Sequence, residues 1–431
     1  MTSSRIFLCA CLVGGTVLAV VAQQPGRIGL EYSRAGEALK KKDYRAAVEH
    51  LRRAVAEAPS HPALIAELAR AQYLAGDGEA ARASMMRALR LGSGLDVVDD
   101  PVVAPMLAGD EAGAVRKAVT ALRERHSTSL EAFRLRQRDL IPEGMAYDPI
   151  DKVFYVGSIY RRKILRVDPA GRVTDFVGEK QDGLLAVLGM KVDSTRRTLW
   201  VATEGTLDMV DARQADIGRS ALLQYDLRSG RLLKKLEMGR DPGPHLFNDV
   251  ALDPEGGVFV TDSEDGSVWR LRPAAERLER LAGPRAFEYP NGIAMASDGR
   301  RLFVAHLAGV AVIDPQTGRS TPLSHPDTVT VAGIDGLYRE GHRLVAVQNG
   351  LTPARVAVFD MNEAEDRVTA LRVLERGHPL FDSIPTTGAV AEGWFYYIAN
   401  AQLRAFTPDH RILPAEKLQE SVILKTRLPT S

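Results

Sequence analysis

At 431 residues the chain exceeds an ordinary single domain and suits two. Hydrophobic residues make up 45% and charged residues 26%, the composition of a globular protein with a sizeable core. The net charge of +1 gives no electrostatic reason to place nucleic acid among its partners.

The N-terminus reads as an export signal over residues 1–22. Arg5 precedes an apolar run from Ile6 to Ala22, and polar Gln23, Gln24 and Pro25 follow. Val20–Val21–Ala22 ends in the small residue that signal peptidase accepts. This implies a periplasmic or secreted mature protein. One rival is a membrane anchor, against which Gly14, Gly15 and Thr16 weigh in a run marginal for a span. A second is a lipoprotein at Leu8–Cys9–Ala10–Cys11, against which the short apolar stretch before Cys11 weighs. Cys9 and Cys11 are the chain's two cysteines. With the segment removed there is no disulfide framework, thiolate metal site or cysteine nucleophile.

Residues 28–126 read as helical, rich in Ala, Leu, Arg and Glu. A self-match at 34 residues aligns Ala47 with Ala81, Leu51 with Met85 and Ala54 with Ala88, and Lys42–Asp43–Tyr44 with Gly76–Asp77–Gly78. This resembles the tetratricopeptide repeat, in which small residues let paired helices pack closely. A third copy starts at Leu107–Ala108–Gly109–Asp110, its first helix degraded by Asp99, Asp100, Pro101 and Pro105. Two and a half repeats make a thin solenoid that leans on a neighbour. It serves either as a groove for a peptide or protein partner or as a structural arm. Residues 127–139 are polar and basic and read as a linker.

From residue 140 to 431 short apolar runs alternate with Asp-Pro, Asp-Gly and Gly-Arg turns. One slot recurs six times, followed within a dozen residues by a strand-like run. Its versions are Pro142–Glu143–Gly144–Met145, Val187–Leu188–Gly189–Met190, Phe247–Asn248–Asp249–Val250, Pro290–Asn291–Gly292–Ile293, Ile334–Asp335–Gly336–Leu337 and Thr386–Thr387–Gly388–Ala389. The slots lie 45, 60, 43, 44 and 52 residues apart, the size of a four-stranded blade. The expected fold is mainly β, a six-bladed β-propeller behind a small α-helical domain. The sixth blade's third strand is expected at 403–406. The ring closes through 421–428 as the last outer strand, or through 131–136 from the other end. The extra length around residues 205–218 suggests an excursion over one face.

The innermost strands of a propeller line its tunnel, so six equivalent slots form a ring: Glu143, Leu188, Asn248, Asn291, Asp335 and Thr387. Two carboxylates and two amides are hard oxygen donors. They suit one divalent ion, Ca²⁺ first and Mg²⁺, Mn²⁺ or Zn²⁺ as substitutes. Taken singly, Asn291–Gly292 and Asp335–Gly336 are ordinary turn signals. Yet the chain holds only five Asn, and two of them fill these six slots.

With these motifs, residues 140 to 431 resemble the gluconolactonase/regucalcin (senescence-marker-protein) family of six-bladed propellers, cousins of the paraoxonases. The resemblance implies a tunnel ion held by Glu143, Asn248, Asn291 and Asp335. It departs from the paraoxonases in two places. They have a histidine near the slot that is Leu188 here. They also carry an acidic residue after the first ligand, where this chain has Gly144, so one metal is expected although Asp249 is present.

Two histidines stand as candidate proton shuttles: His245, three residues before Asn248, and His306, at the end of a strand. The more ordinary reading of each is a loop or strand-end residue. The acidic turn of Asp262, Glu264 and Asp265 reads as a second calcium site or as a solvated hairpin. The functional expectation is an exported metal-dependent hydrolase of lactones or esters, in which Asp335 is both ligand and the carboxylate that orients or deprotonates the attacking water. The alternative is a non-catalytic propeller and helical-repeat adaptor.

Overall fold

The structure is a computed structural model that describes residues 26–429 except Ser297. The proposed export signal, with Cys9 and Cys11, lies outside the described residues.

Four helices open the described residues: α1 (Arg27–Lys40), α2 (Tyr44–Glu57), α3 (Pro62–Leu74) and α4 (Gly78–Arg90). The 34-residue self-match has a physical basis in two places. The Asp43 side chain accepts from the N–H of Ala46 at 3.1 Å, and that of Asp77 from Ala80 at 3.0 Å, so the matched Asp residues are N-caps. Ala47, Ala54, Ala81 and Ala88 are fully buried in the helical core, small residues that let the paired helices pack closely. The third copy is reduced, as its prolines predict. Its first half is one turn of helix, α5 (Leu95–Val98), with 3₁₀ turns at Ala104–Leu107 and Asp110–Ala112, before α6 (Gly113–Arg123).

Six antiparallel sheets follow; four run in chain order from the first strand outward, and blades five and six each add at the outer edge a strand from before the propeller. Their first two strands are Pro142–Asp148 and Val153–Ser158, Ala186–Asp193 and Thr198–Glu204, Phe247–Leu252 and Val258–Asp262, Ile293–Met295 and Leu302–His306, Leu337–Arg339 and Arg343–Gln348, and Gly388–Ala391 and Trp394–Ile398. In the sixth blade Ser421–Arg427 pairs with Trp394–Ile398, and Leu130–Leu135 pairs with Ser421–Arg427. The ring is therefore closed by an outer strand from the other end of the propeller. This corrects two expectations. Residues 403–406 are not a strand but part of a long loop, 399–420, and 421–427 is the third strand rather than the last. The stretch read as a linker is also structural, since His126–Ser127 pairs with the outer strand of blade five.

The slot is a β-bulge. In blade one Pro142 pairs with Ser158 and Met145 with Val156, so Glu143 and Gly144 together oppose Gly157. The same two-against-one register occurs at Leu188–Gly189 and at Asn248–Asp249. In blades four and five the backbone bonds of Asn291 and Gly292 to Ala305, and of Asp335 and Gly336 to Val347, repeat it. A bulge on the innermost strand re-aims one side chain, which is what a tunnel-facing donor requires. In blade six the bulge pair is Thr386–Thr387 opposite Ile398. The register thus corrects the sixth ring position from Thr387 to Thr386.

The glycine after the slot has a matching cause. A Cβ on Gly144 would collide with the carbonyl of Leu188, and one on Gly189 with Asp249 and the Asn248 carbonyl. On Gly292 it would lie 2.5 Å from the carbonyl of Asp335. Each glycine touches the slot of the next blade, because inner strands converge on the axis. Thr387 holds the equivalent place in blade six, and its hydroxyl donates to the Glu143 carbonyl, closing the circle.

The helical domain docks on the slot end of the propeller. Antiparallel order puts the residues before each first strand and after each second strand at one end. Glu288, Leu307, Ala308 and 349–354 all belong there. Glu288 accepts from the N–H groups of Ile28 and Gly29 at 2.8 and 2.9 Å, capping α1. Leu307 and Ala308 pack against the helical core. Ser93 Oγ accepts from the Thr352 N–H at 2.8 Å, and the Leu95 N–H donates to the Thr352 carbonyl. The expected lean on a neighbour is thus onto blades four and five. No described helix is long and apolar enough to cross a membrane.

Candidate metal centre at the tunnel mouth

The four predicted donors are 2–7% exposed and sit at equivalent bulges around the tunnel. Two are joined directly, since Asn291 Nδ2 donates to Asp335 Oδ1 at 2.8 Å. Asn248 Nδ2 donates to Ser263 Oγ at 3.0 Å. Both asparagines are therefore held by their amide nitrogens, and no hydrogen bond among the described residues engages either Oδ1. That leaves the carbonyl oxygen, the atom a cation needs, as the free end of each.

Glu143 completes the pattern. Its Oε2 is buried with no hydrogen-bond partner. Burial, followed by the nearby carboxylates of Asp335, Asp249 and Glu204, pushes its acidity constant well above the usual carboxylate range. A buried carboxylate among others is relieved by a proton or by a cation. Thr386, at the corrected ring position, also has a buried hydroxyl without a partner. The donor set fits a hard divalent ion. Among the described residues no group of three or more His, Cys, Asp or Glu is arranged to hold a metal. The ring escapes such a grouping because half of its four donors are amides.

Asp249 follows Asn248 but is otherwise engaged. Its carboxylate accepts from the N–H groups of Val250 at 2.8 Å and Ile293 at 3.2 Å. Burial pushes it up to about 6, against those bonds and the Lys191 ammonium. Leu188 is a ring position with an apolar side chain, and it packs in a roof over the tunnel described below.

Sequence reading missed Asn349. It follows the second strand of blade five, and its Nδ2 donates to Asp335 Oδ2 at 2.5 Å and to the Pro385 carbonyl at 2.9 Å. Both oxygens of Asp335 thus accept a hydrogen bond from an asparagine. No turn signal marks Asn349; only the strand pairing brings it to the ring. It also lines a cavity of about 560 Å³ at the slot end, with Leu351, Phe381, Ile384 and Arg404 among the walls.

The two candidate histidines are placed elsewhere. His245 Nδ1 lies 2.5 Å from Asp262 Oδ2, to which Trp269 Nε1 also donates at 3.1 Å. These partners belong to the second and third strands of its blade, outward of the tunnel. His306 lies against Phe287 on the hairpin that carries the helical domain, and burial pushes it down to about 4. Its imidazole meets Phe287 and the N–H of Ala308, neither of them a ring donor. The acidic turn is a hairpin held by its own bonds: Asp262 caps Leu246 and Asp265, and Asp265 pairs with Arg280.

Two loops roof blade one at the same end, namely 205–218 after the second strand of blade two and 399–420 after that of blade six. Met209, Ala405 and Leu418 bury themselves with Ile141, Leu185, Leu188 and Leu246. The expected excursion is therefore over the slot face.

Comparison with known proteins gives the family. A model of the SMP-30/Gluconolactonase/LRE-like region matches residues 141–373, and a tetratricopeptide-repeat model matches 38–92. No curated protein matches the chain. Among solved structures, a gluconolactonase from Xanthomonas campestris is 16% identical, with a TM-score of 0.47 over 72% of this chain and 93% of that one. A streptogramin B lyase is 15% identical, with a TM-score of 0.46 over 69% and 96%. A luciferin-regenerating enzyme is 14% identical, with a TM-score of 0.46 over 68% and 94%. Their names differ too widely, and the likenesses are too distant, for any chemistry to be taken from them. The family model spans more than half of the chain, and on that ground this six-bladed propeller belongs to the SMP-30/gluconolactonase/LRE-like family.

Proposed function

We propose that the chain is an exported metal-dependent hydrolase of the lactonase or esterase type, with one divalent ion held by Glu143, Asn248, Asn291 and Asp335. Ca²⁺ is proposed first, because every donor is a hard oxygen, with Mg²⁺, Mn²⁺ and Zn²⁺ as the substitutes to test. When bound, the ion supplies Lewis-acid polarisation of a carbonyl oxygen. What carries the reading is one observation: Asn248 and Asn291 are tethered by their amide nitrogens, with no hydrogen bond among the described residues to either carbonyl oxygen, and Glu143 at the equivalent bulge has a buried oxygen with no partner. Membership of the family supports a small-molecule substrate.

The chain's own residues set the rest of the chemistry. Asn291 and Asn349 fix the Asp335 carboxylate from both sides, so it is positioned to orient a water beside the scissile carbonyl. The cavity that ends at Asn349 has the volume of a small-molecule site, with walls that mix apolar side chains such as Leu351 and Phe381 with polar ones such as Arg404. Exchange of Asp335 for Asn keeps the shape and removes the charge. The expected result is a fold unchanged by circular dichroism, with turnover of D-glucono-1,5-lactone lowered at least ~100-fold. Turnover within a few fold of wild type contradicts the assignment.

A further inference from the structure

We infer that His410, oriented by Asp208, is the proton-transfer residue of this site; the inference rests on the hydrolase reading above. His410 lies in the blade-six loop and Asp208 in the blade-two excursion, the two loops that roof the tunnel. His410 Nδ1 lies 2.8 Å from Asp208 Oδ1. The carboxylate takes the Nδ1–H, which leaves the lone pair on Nε2. That Nε2 is buried and has no hydrogen-bond partner. A buried orphan nitrogen on an imidazole held by an aspartate has the form of a general base awaiting its proton donor.

Three further observations tie the loops that carry this pair to the tunnel end. Met209, next to Asp208, and Ala405, in the His410 loop, share one apolar cluster with the ring residue Leu188 and with Leu246, two residues before Asn248. Glu204, at the end of the second strand of blade two, has a buried Oε1 that is also unpartnered. Its carboxylate is close enough to Asp208 to feel that charge, and Glu143 in turn feels that of Glu204. Glu204 Oε1 and His410 Nε2 are thus two buried atoms without a hydrogen-bond partner among the described residues, one on the blade-two strand and one in the blade-six loop. Finally, Asp335 has both oxygens hydrogen-bonded, which suits it to orient a water and leaves proton transfer to another group.

The step balances without a redox partner. A water oxygen bonds to the lactone carbonyl carbon while Nε2 of His410 takes one of its protons. The carbonyl carbon then releases the ring oxygen, which takes that proton back from Nε2. The product is a hydroxy acid, which ionises in water. Asp208 is a positioning residue, because it acts through the imidazole. The charged groups around the pair are Glu204, with Glu264 and Asp262 beyond it, Arg162 bound to the Val210 carbonyl, the pairs Lys180–Asp211 and Arg213–Asp216 on the excursion, and Asp409 with Arg411 on the hairpin.

The test compares wild type, His410→Gln and Asp208→Asn as calcium-loaded full-length mature protein, with D-glucono-1,5-lactone as the probe. Gln retains a donor for Asp208, so the loop contact survives while the base is lost. The expected result for His410→Gln is a fall in kcat of ~100-fold or more, loss of the acidic limb of the pH–kcat profile, and unchanged metal content and Tm. Asp208→Asn is expected to lower kcat at least ~10-fold and to move that limb. A His410→Gln enzyme with kcat within about threefold of wild type and the same pH profile overturns the inference and leaves the hydrolase reading standing. A wild-type protein that binds metal but does not hydrolyse the lactone overturns both.

Discussion

Glu143, Asn248, Asn291 and Asp335 were legible as donors because each stands at a repeated place beside a small or acidic residue. The reason for the repeat was not legible. It is a bulge that turns one side chain inward and packs the next residue against the neighbouring blade. Gly144 states this most sharply, since a Cβ there meets the Leu188 carbonyl, backbone that has no room to yield. Gly144→Ala is expected to destabilise the propeller by about 1–3 kcal/mol or more, measured as a lowered midpoint in denaturant. An unchanged midpoint would contradict the packing described. His61 offers a second test, in the helical domain. Its ring accepts from the Leu64 N–H at the start of α3, and burial pushes it down to about 4. The unfolded chain, with an ordinary histidine near 6.5, binds the proton first. Stability from this group is therefore full above pH 6.5 and is lost as pH falls towards 4, by about 3 kcal/mol. Thermal melts across that range should show the slope, and His61→Asn, which keeps a helix cap, should flatten it.

The helices and blades were read from periodicity and turn chemistry, and they stand where those signals put them. What failed were assignments that depend on pairing over long distance. The strand Leu130–Leu135 pairs with Ser421–Arg427 across almost the whole propeller sequence, so no local pattern distinguishes it from a linker. The misplaced strand at 403–406 has the same origin, because an apolar run in a roof loop looks like a strand until its partner is known. The helical domain likewise gave no sequence signal of its docking face. Glu288 is the sharpest part of that contact, a propeller carboxylate that caps α1 through two backbone N–H groups. Glu288→Ala is expected to cost about 1 kcal/mol and to expose the α1 terminus to limited proteolysis before the propeller is cut. Equal protease resistance in the variant would contradict a role for this cap.

For the whole molecule, the helices, the roof loops and the ring all lie at one end of the propeller. The helical domain stands on blades four and five, the roof spans blades six, one and two, and the cavity reaching Asn349 opens beside blade five. That arrangement gives the repeats a place at the mouth of the site. It also explains why function was only partly legible in the sequence: the donors share one motif, whereas Asn349, Asp208 and His410 come from loops that only the closed ring assembles. The most direct test is the metal content of the purified mature protein, measured by mass spectrometry beside the Asn291→Ala and Glu143→Gln variants, with lactone hydrolysis assayed on the same samples. One divalent ion per chain in the wild type, lost from both variants together with hydrolysis, is the predicted result. Wild-type protein never exposed to chelator that holds no ion, and takes up none when calcium is added, would contradict the metal centre and leave a binding scaffold.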